Sequence, residues 1–315
     1  MRDIFGNVVS TGADSTANIT ITLQAGTGSL NGLTTKAAVA GVAAFGGVEG
    51  LNIEQIGSKT LRASKGVMIQ DSSAFTITHA AAASLAWTTQ PTDPTVAGTD
   101  INVALELRDA FGNVVSTGVD STANVTLTKS AGTGTLGGTL VKALSGGTVS
   151  FGAGESVDID LIGSKTLNAS DGTRNADSSS FTITHAPAAS LAWTTQPTDP
   201  TVAGTDINVA LELRDAFGNV VSTGVDSSAN VTLTKSAGTG TLGGTLVKAL
   251  SGGTVSFGAG ESVDIDLIGS KTLNASDGTR NADSGSFTIT HAPAASLAWT
   301  TQPTDPTVAG TDINV

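Results

Sequence analysis

Residues Ile101–Ser116 read INVALELRDAFGNVVS. Ile101, Val103, Leu105 and Leu107 fall on one face of an extended chain, and Asn102, Ala104, Glu106 and Arg108 fall on the other. A period of two with large aliphatic side chains on one side predicts a strand with one face in a core and the other in water. Asp109-Ala-Phe-Gly-Asn113 is turn chemistry. Glycine reaches positive φ without strain, and Asp and Asn side chains bond nearby backbone. The stretch therefore reads as a strand followed by a turn within FGNVVS.

The reading extends in both directions. SLAWTTQ (Ser84–Gln90) ends at Pro91, and ANVTLTK (Ala123–Lys129) places Val125 and Leu127 on one side. GTLVKAL, TVSF, SVDIDLI, KTLNAS and SSFTITH follow, mostly separated by Gly, Asn, Asp or Pro. Seven to nine short alternating strands in about 100 residues predict an antiparallel two-sheet sandwich. AAVAGVAAFGGV (Ala37–Val48) is the longest apolar run, too short for the roughly 20 residues of a membrane-spanning helix. It aligns with ALSGGTVSFGAG of the next copy, which predicts strand–turn–strand rather than helix.

Trp87, Trp193 and Trp299 sit in identical LAWTTQPTDPTVAGTDINV blocks 106 residues apart, and FTITHA recurs at the same period. Residues 108–209 and 214–315 differ at only two aligned positions, Thr122/Ser228 and Ser179/Gly285. A period of that length is too long for a solenoid unit and suits a complete small domain. The chain is therefore a string of similar domains rather than one continuous core.

LRDAFGNVVSTG followed by VTLT, GTL, TVSF, GSKTLNAS and FTIT resembles bacterial immunoglobulin-like repeats, the invasin/intimin-type (Big) tandem modules of large surface or secreted proteins. The D-x-x-G-N-x-V element carries the resemblance most specifically and occurs in every copy. The resemblance implies tandem immunoglobulin-like β-sandwiches used as stalk or adhesive modules outside the cell, and domain starts just before the LAW strand. It supplies no catalytic residues. On those boundaries residues 1–82 are an incomplete domain without its first strands, 83–188 and 189–294 are whole domains, and 295–315 form a C-terminal opening segment.

Met1 aligns with Leu107 and Val315 with Val103, so only the equivalents of Ala104, Leu105 and Glu106 are unrepresented. The expectation is that residues 295–315 of one chain act as a donor strand completing residues 1–82 of another, in a head-to-tail, non-closing filament contact. Leu297, Trp299, Val308, Ile313, Val315, Met1, Ile4 and Phe5 are the expected interface. The partner is then a second copy of the chain, with a surface receptor or glycan left open. Insertion within one chain is not expected, because two domains separate the ends. The alternative is a spacer fragment of a tandem-repeat adhesin or stalk whose binding domain lies elsewhere.

Composition narrows the chemistry. With 15 Lys and Arg against 27 Asp and Glu, net charge is −12 and no basic stripe exists, which argues against nucleic acid. There is no cysteine, hence no disulfide and no thiolate metal site. GTGTLG (Gly132–Gly137) matches G-x-G-x-x-G, but a strand follows it instead of a helix, so no cofactor is expected. Asp158, Asp160, Asp171 and Asp177 are weak calcium candidates, weakened by Lys65 at the aligned position of the first copy. Lys142, Lys165, Glu106 and Glu155 supply residue types for an isopeptide bond, which is not expected. His79, His185 and His291 read as strand-end or interdomain contacts, and the tryptophans as core or interdomain residues. Nothing supports catalysis, and the expected location is extracellular or at the cell surface.

Overall fold

The computed structural model describes residues 1–315 and is all-β, with short 3-10 turns and no α-helix. The chain divides into two compact units, Met1–Thr184 and His185–Val315.

The middle repeat shows the complete topology. Ala82–Thr89 pairs antiparallel with Val103–Asp109, which pairs in turn with Thr148–Phe151. A second sheet runs Val141–Ala143, Asn124–Ala131, Gly163–Ser170, Phe181–Thr184 and Thr95–Val96, with Asn175–Asp177 also on the Gly163–Ser170 strand. The last pairing, Thr95–Val96 with Phe181–Thr184, is parallel. The opening segment of the repeat therefore serves both sheets. It lines the edge of the three-stranded sheet, passes a cis Asp93–Pro94 bond, and closes the edge of the larger one. The same pairings recur in the third repeat.

The alternation in the sequence becomes burial. Val103, Leu105 and Leu107 face inward with Val125, Leu127, Leu167 and Phe181, and all are essentially inaccessible. Glu106 and Arg108 face out and pair with each other at 2.8 Å. Lys165 is in phase with Leu167 and Ala169, so its stem is buried too, and its ammonium donates to Ile162 O at 2.9 Å. Burial pushes that amine below the usual lysine value, and the neighbouring Lys129 charge adds to the shift while Asp160 opposes it.

The first repeat differs in one systematic way. Asn18–Ala25, Thr35–Ala37, Gly57–Lys65, Met68–Asp71 and Phe75–Ile77 form one sheet, but neither pairing of the three-stranded sheet has a counterpart; the Arg2–Val8 bridge matches the isolated Arg108–Val114 bridge of the middle repeat. Register supplies the cause. In the middle repeat Thr148–Phe151 pairs with Glu106, Leu105, Ala104 and Val103, all upstream of Leu107, the residue aligned with Met1. Val42–Phe45, the aligned stretch, has no strand to pair with. The strand–turn–strand expected for Ala37–Val48 is therefore met only in its first part, the Thr35–Ala37 strand and the Val39–Val42 bridge. Ala38 and Ile53 are the buried apolar residues of this repeat, against eighteen in the core of the middle one.

Candidate functional site

The first repeat carries a groove of about 470 Å³, lined in part by Met1, Val9, Ile19, Ala43, Ala63 and Met68. The aligned residues Leu107, Val115, Val125 and Ala169 are core positions of the middle repeat. The groove is thus the inner face of a sandwich, exposed because no opening segment covers it.

Residues 295–315 have the complementary character. They form no strand, and Leu297, Trp299, Ile313 and Val315 are 103%, 65%, 61% and 59% exposed. In the middle repeat the same sequence holds Leu85, Ile101 and Val103 at 5%, 1% and 2%. There the Trp87 indole donates to Ala176 O at 3.1 Å, Gln90 accepts from Ser179 N at 2.8 Å and Asp93 from Thr182 N at 2.9 Å. Gly98 N donates to Ile159 O at 3.0 Å and Ile101 N to Val157 O at 2.7 Å. The third repeat repeats these bonds through Trp193, Gln196, Asp199, Gly204 and Ile207. The first-repeat atoms aligned with the partners in these bonds are Gln70 O, Ser73 N, Thr76 N, Ile53 O and Leu51 O.

Among the residues singled out from sequence, Met1 lies in the groove wall, while Leu297, Trp299, Ile313 and Val315 carry the exposed apolar surface of the segment. Val308 departs from the alternation, because its counterparts Val96 and Val202 are 37% and 38% exposed in the middle and third repeats. Ile4 and Phe5 are 91% and 83% exposed on the Asp3–Asn7 turn, outside the groove lining, and their counterparts Ala110 and Phe111 are exposed too. Ala309, Thr307 and Pro303 escape the sequence reading. Their counterparts Ala97, Thr95 and Pro91 are buried, but small or polar side chains give no alternation signal.

The four aspartates do not come together as a calcium site, and no three His, Asp or Glu side chains are grouped to hold a metal ion. Asp160 accepts from Thr135 N at 2.7 Å and Asp177 from the Asn168 amide at 2.7 Å. Asp158 lies against Gly137, where a Cβ would come within 2.3 Å of its Oδ1. Asp171 pairs with Arg174 at 2.7 Å; burial opposes its ionisation, but backbone N–H groups of Arg174 and Thr173 and the guanidinium hold its carboxyl below the usual range. The glycines of GTGTLG serve packing, since a Cβ on Gly132 would meet Ser164 O at 2.4 Å and the Lys165 stem at 2.6 Å. Lys142 forms an ion pair with Glu155 at 2.6 Å.

Within the first unit the D-x-x-G-N turn joins two repeats. Asp109 is buried and accepts from Phe111 N, Asn113 N and Ala80 N, each at 2.9 Å, and from the Asn113 amide at 3.0 Å. Gly112 takes φ +85°, which favours glycine at this corner. Burial pushes the Asp109 carboxyl up, but the Asn113 side chain and the Ala80, Asn113 and Phe111 N–H groups outweigh it and lower it from 3.8 to about 2. Because the folded value lies below the ordinary one, this contribution is fully present above about pH 4 and is lost as pH falls toward 2. Asp109→Ala should destabilise the middle repeat by about 2–4 kcal/mol near neutrality. In urea titrations its gap to the unchanged chain should narrow between pH 4 and 2; a gap independent of pH would contradict the role given to the carboxylate.

No protein family matches the sequence, and no curated protein matches it. Among solved structures the chain is similar to domains 4–9 of the surface layer protein SbsC, at 15% identity over 93% of this chain and 42% of that one, with a TM-score of 0.26. It is similar to the adhesin InvE of Yersinia pseudotuberculosis at 16% identity over 65% of this chain and 58% of that one, TM-score 0.30. The D0-D1 domain of intimin matches at 14% identity over 66% and 98%, TM-score 0.24. The chain thus spans less than two thirds of the first two.

Proposed function

We propose that this chain is a structural subunit of an extracellular or cell-surface filament, residues 295–315 of one copy completing residues 1–82 of the next. One observation carries the reading. A sequence present three times is buried and bonded in the middle and third repeats but exposed at residues 295–315, while the first repeat displays the groove that this sequence fills elsewhere. The contact joins different surfaces of two copies, so it propagates instead of closing.

The register of the middle repeat defines the docked state. Leu297 lies opposite Met1, Ser296 opposite Arg2 and Ala294 opposite Asp3, as Leu85, Ser84 and Ala82 lie opposite Leu107, Arg108 and Asp109. Trp299 faces the three-residue gap on that side, so its stabilisation comes from its ring and its bond to Gln70 O. Thr307 and Val308 run parallel to Ile77 and Thr78, as Thr95 and Val96 do to Ile183 and Thr184.

The tandem construction equally supports the second reading, a spacer in an adhesin or stalk whose binding domain lies elsewhere. Light scattering at rising concentration separates the two. Head-to-tail growth gives a mass that climbs with concentration and, in electron micrographs, fibres with a repeat of about three modules. A mass fixed at one chain, with isolated short rods, rules out the filament and leaves the spacer.

A further inference from the structure

We propose that the Asp3–Asn7 turn is a second docking surface for another copy of this chain, taking the Asp266–Ile268 loop and the His291–Ala292 backbone of its third repeat. The inference rests on the head-to-tail reading but concerns a different contact, between two folded repeats rather than between a groove and a segment.

The joint inside the first unit is the template. There the Asn113 carboxamide uses both its ends on the preceding repeat, donating to Glu54 O at 2.7 Å and accepting from Ile56 N at 3.2 Å. Asp109 takes Ala80 N, and His79 Nε2 lies 2.8 Å from the Thr117 hydroxyl. Four polar contacts thus tie the end of one repeat to the first turn of the next.

The corresponding turn at Asp3–Asn7 is already built without a partner. Asp3 accepts from Phe5 N at 2.9 Å, from Asn7 N at 2.8 Å and from the Asn7 amide at 3.0 Å, nearly the distances of the Asp109 turn. These bonds, the Asn7 side chain first, hold the Asp3 carboxyl below the usual range. At the other end of the chain the matching surface is open. Ile268 is 61% exposed where Ile56, at the in-chain joint, is 37% exposed. His79 and His185 each reach a threonine hydroxyl at 2.8 Å, whereas His291 contacts only its neighbour Ala292 O at 3.1 Å.

With the turn moved back one period and its partners moved on by two, the Asn7 carboxamide bridges Asp266 O and Ile268 N of the incoming copy, Asp3 accepts Ala292 N, and the Thr11 hydroxyl meets His291. A preformed turn loses little freedom on docking, and its directional bonds fix the angle between successive copies. Their loss acts mainly on dissociation, because the groove and segment still find each other.

The test uses the full chain. Assemblies of the unchanged chain, Asn7→Ala and His291→Ala are diluted and their dissociation followed by light scattering; the second variant leaves the Asp3 turn untouched. Both variants should still assemble and should dissociate about tenfold faster. Assemblies that form and then dissociate at the unchanged rate in both variants overturn the clasp while leaving strand donation intact. Separately, Asn113→Ala should raise protease cutting between residues 78 and 83 several-fold, and unchanged cutting would overturn the joint on which the clasp is patterned, even in a chain that never assembles.

Discussion

A chain carrying Trp299→Asp together with Ile313→Asp should stay monomeric at every concentration at which the proposed strand donation makes the unchanged chain assemble. The counterpart of Ile313 is 1% exposed in both complete repeats, at Ile101 and Ile207, and the Trp87 and Trp193 rings pack on the cores with their indoles bonded. Burying each large side chain stabilises the docked state by on the order of 1.5–3 kcal/mol. Each aspartate forfeits that gain and would also bring an unpaired carboxylate into an apolar groove. Together they should weaken association by at least about a thousandfold. Both positions are exposed in the free segment, so the fold of the monomer is unaffected and its melting temperature serves as the control. Assembly of the double variant at the unchanged concentration would mean that growth uses another surface.

The second large effect is a contrast between aligned leucines. Leu167 is 0% exposed, between the two sheets of the middle repeat, and Leu167→Ala should cost about 2–5 kcal/mol in urea unfolding. Leu61 occupies the same place in the first repeat, yet it is only half-buried because no opening segment covers it. Leu61→Ala should cost about 1 kcal/mol in the monomer, since most of the transfer from water has not yet occurred. In the assembled state its cost should rise toward that of Leu167, seen as weaker assembly. Equal costs for the two changes in the monomer would show that the first repeat already has a closed core.

The strands were legible because INVALELRD and its neighbours alternate without ambiguity, and Val103, Leu105 and Leu107 are buried while Glu106 and Arg108 face out. The repeat period made the groove and its matching segment legible as a pair. Lys165 was equally available from parity with Leu167 and Ala169, but a lysine at a core position runs against residue type, and alternation alone is then easy to distrust. Three features lie beyond any pattern of residue types. The loss of the Val42–Phe45 strand depends on which residues of Val103–Asp109 its counterpart pairs with, a matter of register that no single strand encodes. The exposure of Phe111, and with it that of Ile4 and Phe5, depends on the turn projecting away from the sandwich. The joint at Asn113 is built from backbone groups of Glu54 and Ile56, which are invisible to any reading of side-chain types.

The most direct measurement is a register-specific crosslink. Ser84 lies opposite Arg108 and Ser190 opposite Arg214, so in a donated segment Ser296 lies opposite Arg2 of another copy. The chain has no cysteine, and a variant with Arg2→Cys and Ser296→Cys introduces only that pair. Mild oxidation should yield a ladder of disulfide-linked dimers, trimers and longer chains on a non-reducing gel, collapsing to one band on reduction. Oxidised material running solely as single chains, at concentrations where the protein is assembled, would contradict strand donation in this register.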